Sequence, residues 1–213
     1  MHTLIKICGL TNVEDARAAA EAGADLLGFI FAPRSPRKVE PQTVRDIVKH
    51  LPQSVKKVGV FLDAPNPEIR EVMDFCGLDI VQLHGHETPE TAKVLALEYE
   101  VWKAIPFTSP AAFAESLKFA DFIQLADSDK QGNDCNWSLA QLTSRRRRLF
   151  LAGGITADNA AHAVETVCPY GLDICSGVEK QPGIKDHQKI TEIINRIRRA
   201  DRIQEEIHEK HSF

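Results

Sequence analysis

An α/β barrel of eight strand–helix units is the fold this sequence predicts, and three observations carry it. Short apolar runs alternate with helix-like segments along the chain. The runs are apolar almost throughout, as in parallel strands buried on both faces, where antiparallel strands would alternate. The connections are short, so closing the sheet on itself into a single (β/α)8 barrel needs neither a linker nor a second domain. A length of 213 residues suits one domain of this kind, residues 1–213, and a hydrophobic share of 43% supplies its core.

The first strand is Leu4-Ile5-Lys6-Ile7, with Cys8 at its carboxyl end and Gly9 as the turn. Thr11 or Asn12 caps a helix from Val13 that stops at Gly23. Leu26 to Phe31 is the second strand; a loop rich in Pro and Arg runs from Ala32 to Val39, and Pro41 opens the next helix. Lys57 to Phe61 and Ile80 to Leu83 are the third and fourth strands, with a helix from Pro67 to Phe75 between them. A helix from Glu90 to Leu97 precedes the fifth strand, Glu100 to Ile105. Another from Ala111 to Leu117 precedes the sixth, Phe122 to Leu125. Ala126 to Trp137 is polar and loop-like. A helical patch from Ser138 to Thr143 and an arginine run, Arg145 to Arg148, lead into the seventh strand, Leu149 to Leu151. The arginines read as a solvated surface turn. After Gly153-Gly154 comes a helix from Ala157 to Val164, then the eighth strand, Leu172 to Ile174. The last helix starts near Asp186, and its charged tail, from about residue 199, reads as frayed.

The net charge of −4 gives no bulk attraction to nucleic acid or anionic membrane. No apolar run approaches the ~20 residues that span a bilayer, and no signal-peptide pattern opens the chain. The five cysteines have neither redox nor metal-ligand spacing, which implies reduced thiols and a cytoplasmic location. The expected partner is therefore a small molecule, and the chain is expected to act as a monomer or homodimer.

In barrels of this class chemistry is done at the carboxyl ends of the strands, where Cys8 lies. Cysteine also packs as a small hydrophobe, so Cys8 gains weight only from its neighbours. Gly153-Gly154 and Ser176-Gly177 end the last two strands in residues small enough for a phosphate to approach backbone N–H groups. Arg34, Arg37 and Lys38 in the loop after the second strand make an anion clamp, since a guanidinium grips a carboxylate with two parallel hydrogen bonds. Gln82 and His84 share one strand face and read as a polar pocket wall. With His86 and Glu87 they imitate a metal cluster, but no further ligand stands at metal spacing, so no metal is expected. Asp173, in the eighth strand, completes the candidate substrate-binding set. Asp127 follows the sixth strand, with Asp129 and Asp134 in the same loop; a carboxyl there suits a general acid opposite a thiolate base at Cys8.

Lys6-Ile7-Cys8-Gly9-Leu10-Thr11, Gly28-Phe29-Ile30-Phe31, Ser35-Pro36-Arg37, Val58-Gly59-Val60-Phe61, Val81-Gln82-Leu83-His84-Gly85, Leu151-Ala152-Gly153-Gly154 and Ser176-Gly177-Val178-Glu179 occur in this order. Together they resemble the phosphoribosylanthranilate isomerase family of tryptophan biosynthesis, TIM barrels, over nearly the whole chain. The resemblance implies an Amadori rearrangement of the phosphoribosyl aminoaldose of anthranilate to a 1-deoxyribulose phosphate, with no metal or organic cofactor. It implies Cys8 as the base that takes the sugar C2 proton and the aspartate after the sixth strand as the acid that opens the furanose. Arg37 would face the anthranilate carboxylate, with the two glycine turns around the phosphate. A count from Ala120-Asp121 puts Ala126 at the family's acid position and Asp127 one residue later, so a β-bulge is expected to restore Asp127. The loop also lacks the lysine, the phenylalanine and the aspartate before Trp137 of the family pattern. The alternatives are a barrel derived from this family that binds a sugar phosphate without turnover, and a different isomerase or epimerase on the same scaffold.

Overall fold

In the computed structural model, which describes residues 2–127 and 135–210, eight parallel strands close into a barrel in chain order. They are β1 (Leu4–Cys8), β2 (Leu26–Ile30), β3 (Lys56–Phe61), β4 (Ile80–Leu83), β5 (Glu100–Pro106), β6 (Ile123–Asp127), β7 (Leu149–Leu151) and β8 (Gly171–Ile174). The helices between them are α1 (Val13–Glu21), α2 (Pro41–Val48), α3 (Asn66–Cys76), α4 (Pro89–Leu95), α5 (Pro110–Ser116), α6 (Trp137–Ser144) and α7 (Ala157–Val167), and α8 (His187–Lys210) ends the described chain. The helix starts follow local chemistry: Asn12 accepts from the Asp15 amide at 2.8 Å and Thr88 from the Thr91 amide at 3.2 Å.

Two hydrophobic layers explain why the strands are apolar on both faces. Leu26, Val58, Ile80, Trp102, Leu125 and Phe150 point inward and fill the barrel. Ile5, Ile7, Leu27, Phe29, Val81 and Leu172 point outward and pack under the helices. Because side chains alternate along a strand, this parity also fixes which polar residues face in: Lys6 and Cys8 from β1, Gln82 from β4, Asp127 from β6 and Asp173 from β8. Gly171 makes room for Phe150, since a Cβ there would collide with its ring.

The structure corrects the sequence reading in four places. β6 runs on to Asp127, so Ala126 and Asp127 belong to the strand and not to the loop. Its pairing with β5 is regular from Trp102↔Ile123 to Pro106↔Asp127, and the expected bulge is absent. A short antiparallel ribbon, β9 (Glu179–Gln181) with β10 (Ile184–Lys185), intervenes between β8 and α8. The last helix continues unbroken through position 199 to Lys210. The arginine run does form a surface turn, with Arg148 over the Tyr170 ring at 5.2 Å.

The last helix also fastens the first strand. Buried Asp201 accepts from the Thr3 amide at 3.1 Å and its hydroxyl at 2.6 Å. Arg198 donates to the Thr3 carbonyl at 2.6 Å and to Asp25 at 2.8 Å.

Candidate active site

A cavity of about 250 Å³ opens at the carboxyl ends of the strands. Cys8, Arg37, Gln82, His84, Asp127, Gly153, Gly154, Asp173 and Ser176 all line it. Gly177 stands behind Ser176, where a Cβ would collide with the Ile155 carbonyl oxygen. Asp129 and Asp134 lie outside the described residues.

Cys8 ends β1 and is 5% exposed. Its Cα partner is Gly28, and that glycine is a spatial requirement: a Cβ would stand 2.7 Å from the sulfur and 3.1 Å from the Lys6 ammonium. Burial pushes the thiol up from its ordinary value, and the Lys6 charge pulls it back. Lys6 itself is fully buried and pairs with Asp173 at 2.8 Å.

Asp127 enters from β6, three strands from β1 around the closed ring. The His84 Nε2 is 3.4 Å from its carboxylate, and the His84 Nδ1 is 3.3 Å from the Gln82 amide nitrogen. That amide can only donate, so Nδ1 accepts and the Nε2 proton faces Asp127. The metal cluster imitated by sequence proximity is dispersed, because Glu87 turns to Lys103 at 2.6 Å and His86 to Asp63 at 3.2 Å. Among the described residues no three His, Cys, Asp or Glu side chains are placed to hold a metal ion.

Arg37 reaches the cavity from the loop after β2; Arg34 is exposed and Lys38 pairs with Glu40 at 2.8 Å, which leaves Arg37 as the cation of that loop that reaches the cavity. The guanidinium is gripped from behind by Glu179, Nε to Oε1 at 2.8 Å and Nη2 to Oε2 at 2.7 Å. Glu179 also accepts from the Lys185 ammonium at 3.0 Å and the Gly183 amide at 3.1 Å, so the ribbon holds the fork still. Burial opposes the charge on Glu179, but the hydrogen bonds from Arg37, Lys185 and Gly183 outweigh it and bring the carboxyl down to about 2. A carboxyl depressed in the folded state contributes stability above its unfolded value of 4.5 and loses it as pH falls toward 2. Glu179→Gln is therefore expected to melt below the wild type at pH 7. The gap should close between those two pH values in calorimetric scans.

On the far side Gly153 and Gly154 have φ of 79° and 70°, which side chains rarely adopt, so the backbone after β7 lies bare to the cavity. Ile30 and Val60 add an apolar wall from β2 and β3. The mouth thus holds the thiols of Cys8 and Cys175, the carboxyls of Asp127 and Asp173 and the Arg37 cation, together with bare backbone of the kind that receives anions.

A profile of the N-(5'-phosphoribosyl)anthranilate (PRA) isomerase family matches residues 5–196. The chain belongs to this family. An N-(5'-phosphoribosyl)anthranilate isomerase from Pelobacter propionicus is 41% identical over 196 residues, covering 89% of this chain and 93% of that one. The crystal structure of the enzyme from Thermotoga maritima superposes with a TM-score of 0.88 at 36% identity, covering 92% of this chain and 98% of that one. Another family structure, with TM-score 0.86, 36% identity and the same coverages, holds reduced 1-(o-carboxyphenylamino)-1-deoxyribulose 5-phosphate. Within this family frame, sequence reasoning missed Cys175, which lines the mouth, and Lys6, Glu179 and Lys185, which stand behind its residues. Lys6 carried a signal, a charge in the inward parity of an otherwise apolar strand. The Glu179 grip carried none, because it joins positions far apart in the chain.

Proposed function

We propose that the chain catalyses the Amadori rearrangement of N-(5'-phosphoribosyl)anthranilate to 1-(o-carboxyphenylamino)-1-deoxyribulose 5-phosphate, an aldose–ketose isomerisation of tryptophan biosynthesis. The observation that carries this reading is a thiol and a carboxyl on one inner face, between an arginine fork and bare glycine turns. The backbone N–H groups of Gly153, Gly154, Ser176 and Gly177 receive the phosphate. The outer edge of the Arg37 fork receives the aryl carboxylate, with Ile30 and Val60 against the ring. Asp173, Gln82 and His84 complete the polar wall around the sugar. A substrate held at both ends has its ribose fixed between Cys8 and Asp127.

Asp127, in its acid form, gives a proton to the ring oxygen; the C1–O bond breaks and the arylamine lone pair forms the C1=N iminium. The cation next to C2 acidifies the C2–H bond, and the Cys8 thiolate removes that proton. The enolamine then tautomerises to the ketose. The substrate's own nitrogen is the electron sink, so the steps need only proton transfers. The positive iminium also favours the thiolate beside it, offsetting the burial that raises the thiol. We assign the chain to the cytoplasm, as a monomer or homodimer acting on a small phosphorylated substrate.

The test is a steady-state assay of the purified chain with N-(5'-phosphoribosyl)anthranilate, following the loss of aryl-amine fluorescence and identifying the ketose by chromatography. Catalytic conversion is expected. Saturable binding without conversion would overturn the isomerase reading and leave a ligand-binding barrel.

A further inference from the structure

We propose that Lys6 is a positioning residue whose buried ammonium favours the thiolate form of the neighbouring Cys8 sulfur, with Asp173 as the counter-ion that anchors the lysine; this rests on the reading of Cys8 as the base. Lys6 and Cys8 leave β1 on the same side, two residues apart, and Lys6 is wholly buried. Its register partner across the β1–β8 pairing is Asp173, whose Oδ2 accepts one ammonium hydrogen bond at 2.8 Å. The other Asp173 oxygen, Oδ1, is buried and has no hydrogen-bond partner, so the carboxylate holds the lysine by one oxygen only. An ammonium has three donors and Asp173 occupies one, so positive charge remains for the Cys8 sulfur, which lies on the same face of β1 two residues on. Gly28 provides the slot in which the two meet: the point where its Cβ would stand is 2.7 Å from the sulfur and 3.1 Å from Nζ.

Stability does not account for this pair. The rest of the layer is Leu26, Val58, Ile80, Trp102, Leu125 and Phe150, and an apolar pair in place of a buried ion pair is often neutral or stabilising. A function at the sulfur does account for it. The groups that face Cys8 are Lys6 on its own strand, Asp173 from β8, Cys175 from the turn after it, Lys185 from β10 and Arg37 from the loop after β2. Burial raises the thiol most, Lys6 is the strongest influence lowering it, and Asp173 raises it. Lys6 keeps its proton throughout; the sulfur alone takes the C2 proton and becomes the thiol.

The opposite signs of Lys6 and Asp173 make the test directional. The rate of Cys8 alkylation by iodoacetamide is measured from pH 6 to 11 by peptide mass spectrometry, in the wild type, Lys6→Gln, Lys6→Arg and Asp173→Asn. Lys6→Gln is expected to raise the midpoint by about one unit, so that alkylation well below the midpoint slows about tenfold. Lys6→Arg should restore the midpoint, and Asp173→Asn should lower it. The limb of kcat/KM set by the thiol's ionisation should move with each. A midpoint unmoved by Lys6→Gln, or moved the same way by both neutralising changes, would overturn the proposal. If Lys6→Gln does not fold, Asp173→Asn decides alone, and a midpoint that fails to fall overturns it. Alkylation reads the thiol whether or not it is the base. A loss of the Cys8 base reading would instead appear as full activity in Cys8→Ser with these midpoints behaving as expected.

Discussion

Replacing Cys8 by serine is expected to lower kcat/KM by about 10²–10⁴-fold, the usual worth of a positioned base, while affinity for the product stays within a few-fold. A hydroxyl in the same place has no accessible anion, so the C2 proton has nowhere to go. The Lys6–Asp173 pair remains in place, and the fold should be unaffected. The pH dependence carries a second expectation. In the proposed mechanism the base is a thiolate and the acid a protonated carboxyl, so the pH–rate profile carries a limb at the thiol's ionisation. Burial places that limb of the free enzyme above the ordinary thiol range of about 8.5. In Cys8→Ser the limb should vanish. An unchanged profile would remove the thiol from the reaction.

Asp127→Asn is expected to cost about 10²–10⁴-fold in kcat with little change in ligand affinity, because an amide cannot deliver the proton that opens the ring. The geometry allows a stricter control. Ala126 faces outward into the fully buried layer beneath the helices, while Asp127 faces the cavity. Moving the carboxyl back by one position, Ala126→Asp with Asp127→Ala, should not rescue turnover and should destabilise the barrel by the several kcal/mol that an unpaired buried carboxylate costs. Activity in that double variant would place the acid at position 126 after all.

The barrel was legible because each strand is apolar on both faces, a pattern that few other folds require. Cys8, Arg37, Gln82, His84 and the glycine turns were legible from the same source: strand ends locate the rim, and parity says which side chains look inward. Asp127 shows where counting fails. A count that started at Ala120-Asp121 put the carboxyl one residue late and called for a bulge, yet the strand simply extends to Asp127 in regular register with β5. The polar residues after it had hidden the end of the strand. The ribbon of β9 and β10 was overlooked because its strands are short and mostly charged, so no apolar period marks them. Its contribution, the Glu179 and Lys185 grip behind Arg37, depends on contacts that only the closed fold creates.

The clasp of Asp201 and Arg198 on Thr3 has a bearing on biosynthesis. A ribosome releases β1 long before β8, its neighbour on one side, and the residues that lock the beginning of β1 arrive later still on α8. Until then Lys6 has no carboxylate to meet and the sulfur beside it sits in an unfinished electrostatic setting. A nascent chain halted before the eighth strand should therefore carry an ordinary, solvent-titrating cysteine, and its altered reactivity should emerge only when β8 closes against β1.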